Sequence, residues 1–217
     1  MTGAKYAFNT HGYGTHQAIS ELVSLDSTVL DVGCASGYLM EYLRRTKNCH
    51  CIGVEPDEYM ASCASAQDFE VISSTAASAY LTIKPNCRFD HILFGDVLEH
   101  LADPLPILES YRSLLDLNGT IIVSLPNVVS LRARIRLVRG IWRYENTGIF
   151  DRTHLRFFTV ETGKELLADA GLSIINQRFV GPLTFYGGSW FERTTRMRPQ
   201  ILANGMIFAA RPMAREQ

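Results

Sequence analysis

The chain has 217 residues, 47 % of them hydrophobic and 20 % charged, enough apolar material for one sizeable α/β domain and too short for two. Lysine plus arginine number 21 against 22 acidic residues, so a net charge of −1 gives no bulk argument for nucleic-acid binding, and none is expected. No apolar run approaches the roughly 18 residues that span a bilayer, and residues 1–16 lack the apolar stretch of a secretory signal. The expected location is therefore cytoplasmic. Of the five cysteines, Cys49 and Cys51 form a pair with no second pair to complete a zinc site, so buried reduced thiols are expected.

In chain order, Thr28 to Val32 reads as a short buried strand, closed by the small residues Gly33 to Gly37 and followed by a helix over Tyr38 to Arg45. Cys51 to Val54 is a second strand, ended by Glu55-Pro56-Asp57, with a helix over Glu58 to Ala66. Phe69 to Ser73 and Asp90 to Phe94 are the third and fourth strands. A helix over Leu105 to Leu115 leads through an Asn118-Gly119 turn to a fifth strand, Thr120 to Leu125. Apolar strands alternating with helices predict a doubly wound, mostly parallel sheet.

The alternation then breaks. Val128 to Trp142 carries a helical apolar stripe (Val128, Leu131, Ile135, Val138, Trp142) with Arg132, Arg134, Arg136, Arg139 and Arg143 mostly off it. A helix over Val160 to Ala170, stopped by Gly171, precedes a strand over Leu172 to Val180, and Met206 to Ala210 is a last strand. The expected organisation is one domain over 1–217, with 127–157 a helical insertion after strand five that serves as lid or substrate contact. A basic amphipathic segment of this kind can also make peripheral membrane contact through 128–143.

The most informative stretch is VLDVGCASGYL, residues 29–39. A buried strand enters a tight turn at a helix N-terminus, where a ligand can approach the backbone closely. Gly33-Cys34-Ala35-Ser36-Gly37-Tyr38 fails the dinucleotide pattern G-x-G-x-x-G at two of three glycines, and no Lys-Ser/Thr pair follows to make a phosphate loop. Asp31 would repel a phosphate and attract an ammonium or sulfonium. Glu55, closing the second strand, stands where this fold places an acid for ribose hydroxyls. Together these fit S-adenosylmethionine.

On these residues, and on CIGVEPDEYMASCA (51–64), FDHILFGDVLEHLADPLPIL (89–108) and LNGTIIVSLPN (117–127), the chain resembles the class I S-adenosylmethionine-dependent methyltransferases. GIFDRTHLRFFTVETGKELLADAGL (148–172) is similar to a subgroup associated with small-molecule and glycan modification. The resemblance implies a seven-stranded sheet whose last strand is antiparallel, a part for Met206 to Ala210. It implies cofactor contacts from Asp31, Gly33, Cys34, Gly37, Glu55, Pro56, Thr75, Gly95 and Asp96. Two positions depart from the pattern: Ala35 replaces the central loop glycine, and Ser73-Ser74-Thr75 stands where an acid usually meets the adenine.

GDVLEH places Asp96, Glu99 and His100 at i, i+3 and i+4, one face of a helical turn, and His154 lies in a second polar segment. His100 and His154 are the candidate bases for taking a proton from a hydroxyl nucleophile. Asp96, Glu99, His100 and His154 are also similar to the E-x-x-E-H site of metal-assisted O-methyltransferases of ubiquinone biosynthesis and of small RNAs, with Asp for the first Glu, so a divalent metal is a possible second cofactor. Arg152 and Arg156 are candidates for a substrate carboxylate or phosphate. The expected reaction is O-methylation of a small-molecule acceptor, a sugar or glycan-linked intermediate first. The alternatives are a prenylated quinol methylated at the membrane surface and an inactive, cofactor-binding partner subunit. The oligomeric state is not legible.

Overall fold

A computed structural model describes residues 14–83, 87–181, 193 and 195–213, so most of the N-terminal stretch read above for a leader lies outside the described residues. In chain order the elements are α1 (Thr15–Leu22), β1 (Thr28–Val32), α2 (Tyr38–Lys47), β2 (His50–Val54), α3 (Glu58–Ser65), β3 (Glu70–Ile72), α4 (Ala76–Thr82) and β4 (Phe89–Gly95). A single 3-10 turn over Leu98–His100 follows, then α5 (Leu105–Arg112), β5 (Leu115–Pro126), α6 (Leu131–Val138), α7 (Val160–Asp169), β6 (Leu172–Val180), a helical turn at Pro199–Leu202 and β7 (Gly205–Pro212).

The seven strands form one sheet in the order β3-β2-β1-β4-β5-β7-β6. All pairings are parallel except those of β7, which runs antiparallel to both β5 and β6. The predicted fold class stands, including the antiparallel tail strand. Its cause is visible in the strand periodicity. Leu30, Val32, Ile92, Phe94, Ile121 and Val123 bury on one face, while Val29, Leu93, Ile122 and Ile207 bury on the other. Both faces need a helical layer, and the crossover helices supply it. The first face meets α4, α5 and α7, and the second meets α1 and α2.

Several boundaries differ from the sequence reading. The third strand shrinks to Glu70–Ile72 because it is the sheet edge, pairing only with β2. The helix before β5 stops at Arg112, and Leu115 already pairs with Phe89. The next pair in register is His91 with Thr120, so the Asn118-Gly119 turn is a bulge inside β5. Helices α1 and α4 were not expected at all. Each is only two turns long and carries few large apolar residues to mark a period, and α1 is held by the buried Ile19. His91 ties that region down: its Nε2 accepts the Ser24 N–H at 3.1 Å, while Nδ1 lies 2.6 Å from the Thr120 hydroxyl.

The insertion helix is also shorter than its stripe. Ser130 caps it, accepting the Ala133 N–H, and Gly140 at φ +68° ends it two residues before Trp142. Only Ala133 of α6 is buried, whereas Leu131, Ile135 and Val138 lie exposed, Val138 at 89 %. Asn127 pins the start of the insertion, donating from Nδ2 to the Ala203 carbonyl at 2.8 Å and accepting the Val129 N–H at 3.2 Å.

Candidate active site

The loops following β1, β2, β4 and β5 all leave the same, carboxyl edge of the sheet, and the strand order reverses between β1 and β4. A crevice at that switch point is where such sheets bind ligands.

The turn after β1 has three left-handed residues, Gly33 at φ +81°, Ala35 at +48° and Gly37 at +81°. It is hung on β2. The Gly33 and Cys34 N–H groups both donate to the Val54 carbonyl, at 2.7 and 3.1 Å. Glu55, 8 % exposed, accepts the Ala35 N–H on Oε2 at 2.8 Å and the Asp57 N–H on Oε1 at 2.9 Å. The Glu55 bond explains how Ala35 is held where a glycine is usual. Glycine at 33 is a steric requirement, because a Cβ there would lie 2.5 Å from Val97 Cγ2. The Cys34 thiol turns inward against Gly53, where a Cβ would come within 2.5 Å of Sγ, and burial raises its pKa further. Its side chain is packing rather than a ligand contact.

Asp31 is 3 % exposed, and among the described residues no hydrogen bond reaches its carboxylate. Burial, and then the Glu55 charge, push its pKa up to about 7. A buried acid in this state gains from any cation placed beside it. Pro56 and Thr75 lie exposed on the rim. Thr75 is the N-cap of α4, its hydroxyl accepting the Ser78 N–H at 3.3 Å. Gly95 ends β4, and Asp96 follows it in the left-handed region at φ +55°.

Beyond Asp96 the 3-10 turn presents Glu99 and His100, and a built loop brings His154 to them. Asp151 Oδ1 accepts the Thr153 N–H and hydroxyl at 2.9 and 2.7 Å, shaping the turn. The Leu155 and Arg156 N–H groups then dock on the Glu99 carbonyl at 2.8 and 3.0 Å. His154 Nε2 comes to 3.9 Å from Glu99 Oε1, the two imidazoles stack edge-on at 4.8 Å, and one ligand atom from each of Glu99, His100 and His154 falls within 4.8 Å of the others. Glu99 is 1 % exposed, and among the described residues its Oε2 has no hydrogen-bond partner. Burial, with Asp96 and Asp151 adding to it, raises its pKa well above the carboxylate range. Burial and His100 lower the pKa of His154, favouring the neutral ring that a base or a ligand requires.

One expectation needs correction here. The helical turn begins only at Leu98, so Asp96 does not share a face with Glu99 and His100; its Oδ1 accepts the Ser124 hydroxyl instead, at 2.7 Å. Arg156 is exposed, and its guanidinium donates to the Ala102 carbonyl from Nε and Nη2, which leaves Nη1 unused by these bonds.

An aromatic wall extends from the histidines. Phe157 lies 6.4 Å from His154, and Trp142 meets Phe157, Phe150 and Tyr144 edge-on at 5.4, 5.0 and 6.5 Å. Arg136 covers Phe150 and pairs with Glu145. Beside it, Leu131 and Ile135 of α6 face Ile201 and Leu202 across an apolar groove of about 380 Å³.

A family model described as a methyltransferase domain matches residues 14–177. The chain belongs to the methyltransferase domain family. The ubiquinone biosynthesis O-methyltransferase of Cereibacter sphaeroides is 28 % identical over 155 residues, covering 69 % of this chain and 62 % of that relative. The match therefore spans less than two thirds of the relative's length. The Burkholderia thailandensis 1,6-didemethyltoxoflavin-N1-methyltransferase, solved with S-adenosylhomocysteine, superposes with a TM-score of 0.63 at 16 % identity, covering 93 % of this chain and 80 % of that one. The [4+2]-cyclase SpnF superposes at 0.65 with 14 % identity, covering 98 % and 86 %. At these identities the likeness is one of fold, a frame that hosts more than one chemistry.

For a member of the methyltransferase domain family, the donor set at the crevice suits S-adenosylmethionine. An unpartnered buried carboxylate matches a cationic amino-acid end, and Glu55 retains lone pairs for ribose hydroxyls after its two backbone bonds. Sequence reasoning missed His16, Tyr38 and Ser124. The Tyr38 hydroxyl, at the start of α2, lies 3.0 Å from His16 Nε2 on α1. For Ser124 a signal was present: one hydroxyl in the apolar run Ile121-Ile122-Val123-Ser124-Leu125.

Proposed function

We propose that the protein is an S-adenosylmethionine-dependent methyltransferase acting on a hydroxyl of a small molecule. The observation that carries this is the meeting, at one sheet edge, of a cation-seeking pocket (Asp31, Glu55) and a pair of stacked histidines (His100, His154). Bound there, the cofactor supplies a methyl carbon on a sulfonium, which an acceptor oxygen attacks in line as the carbon–sulfur bond breaks. Asp31, Gly33, Gly37 and Glu55 hold the cofactor, and Gly95 and Asp96 wall the methyl. His154 or His100 takes the hydroxyl proton, and the lowered pKa of His154 suits that ring to the task. The wall of Trp142, Phe150 and Phe157 favours an aromatic acceptor over a sugar, and the apolar groove beside it suits an apolar substituent. The insertion 127–157 provides this acceptor side, within a single domain spanning the chain.

A second reading concerns how the hydroxyl is activated. Glu99, whose buried Oε2 has no hydrogen-bond partner among the described residues, and the imidazoles of His100 and His154 make a donor set suited to a divalent cation. Such an ion would lower the hydroxyl pKa and fix the oxygen. The exposed Leu131, Ile135 and Val138, flanked by Arg132, Arg139 and Arg143, support peripheral contact of α6 with an anionic membrane.

Titration of S-adenosylhomocysteine into the wild type and an Asp31→Ala, Glu55→Ala double variant tests the cofactor. Micromolar binding lost in the variant supports it, and no binding to either refutes it. Methylation of a soluble catechol tests the acceptor class. Its loss on chelation and return with Mg²⁺ would favour the cation, while indifference to chelator would leave the histidine base.

A further inference from the structure

Ser124 is fully buried on β5, in register with Gly95 of β4. Its hydroxyl donates to Asp96 Oδ1 at 2.7 Å and accepts the Asp96 N–H at 2.8 Å. One side chain thus fixes both the backbone and the carboxylate of a non-glycine residue at φ +55°, a conformation L-residues seldom adopt. No other hydrogen bond of the Ser124 hydroxyl occurs among the described residues, and a buried hydroxyl needs such a partner. The clasp keeps an acid at the open end of the sheet, where Asp96 is exposed.

The position of that charge matters. On one side it acts on His16, which packs on Tyr38 at the start of α2, next to the glycine turn. On the other it stands three residues before Glu99, whose carboxylate faces His154 at 3.9 Å. A methyl in transit lies where the cofactor end and the acceptor end meet, and Asp96 is an exposed acid on the loop between them.

Resting on the cofactor reading above, we propose that Asp96 recognises the positive charge at the reacting centre of the cofactor, and that Ser124 is the positioning residue that holds it there. The site then prefers a cationic donor over its neutral product, which favours release after transfer. The preference comes from one partly desolvated charge pair, worth about tenfold in affinity.

The test uses two unreactive ligands, sinefungin, which carries an ammonium in place of the sulfonium methyl, and neutral-centred S-adenosylhomocysteine. Their dissociation constants are measured by calorimetry for the wild type, Asp96→Asn, Ser124→Ala and Ser124→Thr. The wild type is expected to prefer sinefungin about tenfold, Asp96→Asn and Ser124→Ala to bring the ratio near one, and Ser124→Thr to restore most of it. A merely structural hydroxyl would weaken both ligands alike and leave the ratio unchanged. That result, or a wild-type ratio near one, overturns the proposal. Should Ser124→Ala not fold, the Asp96→Asn ratio decides. Failure of both ligands to bind the wild type is a different outcome, refuting the cofactor reading itself.

Discussion

Asp31 stores a conflict between stability and binding that a single isosteric change exposes. Its pKa rises from 3.8 to about 7 on folding. The folded state therefore binds more protons than the unfolded state between those values, so this group's contribution is fully present below 3.8 and lost as pH rises through 7. The full shift corresponds to about 4 kcal/mol of ionisation cost at pH 8.5. Asp31→Asn removes the charge but buries an amide without a partner, which costs about 1–3 kcal/mol. The net gain for the ligand-free protein at pH 8.5 is about 1–3 kcal/mol, several degrees in Tm at roughly 2–4 °C per kcal/mol for a chain of this size. Thermal unfolding of both proteins from pH 4 to 8.5 isolates the group, since all other titrations cancel in the difference. The variant should gain on the wild type steadily as pH rises. Saturating S-adenosylhomocysteine should reverse the order at pH 8.5, adding about 4.1 kcal/mol to the wild type at a thousandfold excess over Kd and little to the variant. A stability difference independent of pH, or a variant that binds as tightly as the wild type, would refute the reasoning.

His91 acts with the opposite sign. Burial, the largest cause, lowers its pKa from 6.5 to about 4, so its neutral ring contributes stability above 6.5 that is lost as pH falls through 4, about 3 kcal/mol in all. His91→Gln should flatten the acid limb of the stability curve measured by urea unfolding. Gly33→Ala meets both a φ of +81° and Val97 Cγ2 at 2.5 Å, and should lose about 2 kcal/mol or more. Val97→Ala in the same chain should recover the steric part, read by Tm and by S-adenosylhomocysteine affinity. Replacing Arg132, Arg139 and Arg143 by serine should abolish sedimentation with phosphatidylglycerol vesicles if α6 lies on a membrane, and an unchanged bound fraction would dismiss that contact.

The parts of this molecule legible from sequence are those where one local signal and the global fold coincide. Thr28–Val32 and Leu172–Val180 were bounded correctly because each is an apolar-rich run between turn residues, buried in the first case and largely exposed in the second. Asp31 and Glu55 were placed by the strand ends they close, and covalent geometry does the rest. What stayed hidden depends on distances between elements. His100 and His154 are 54 positions apart, and they meet because Glu99 offers its carbonyl to two successive N–H groups, a bond no side-chain pattern records. The Asp96 error has the same origin. Periodicity put it on a helical face with Glu99, but its partner was Ser124, a residue on a different strand brought opposite Gly95 by sheet register. The stripe on α6 misled for the converse reason. It is helical as read, yet apolar periodicity states only that a face can be buried, and among the described residues Ala133 alone is the one α6 buries. A face left exposed between five arginines, next to the aromatic wall that leads to the histidines, adds little to what holds the protein together.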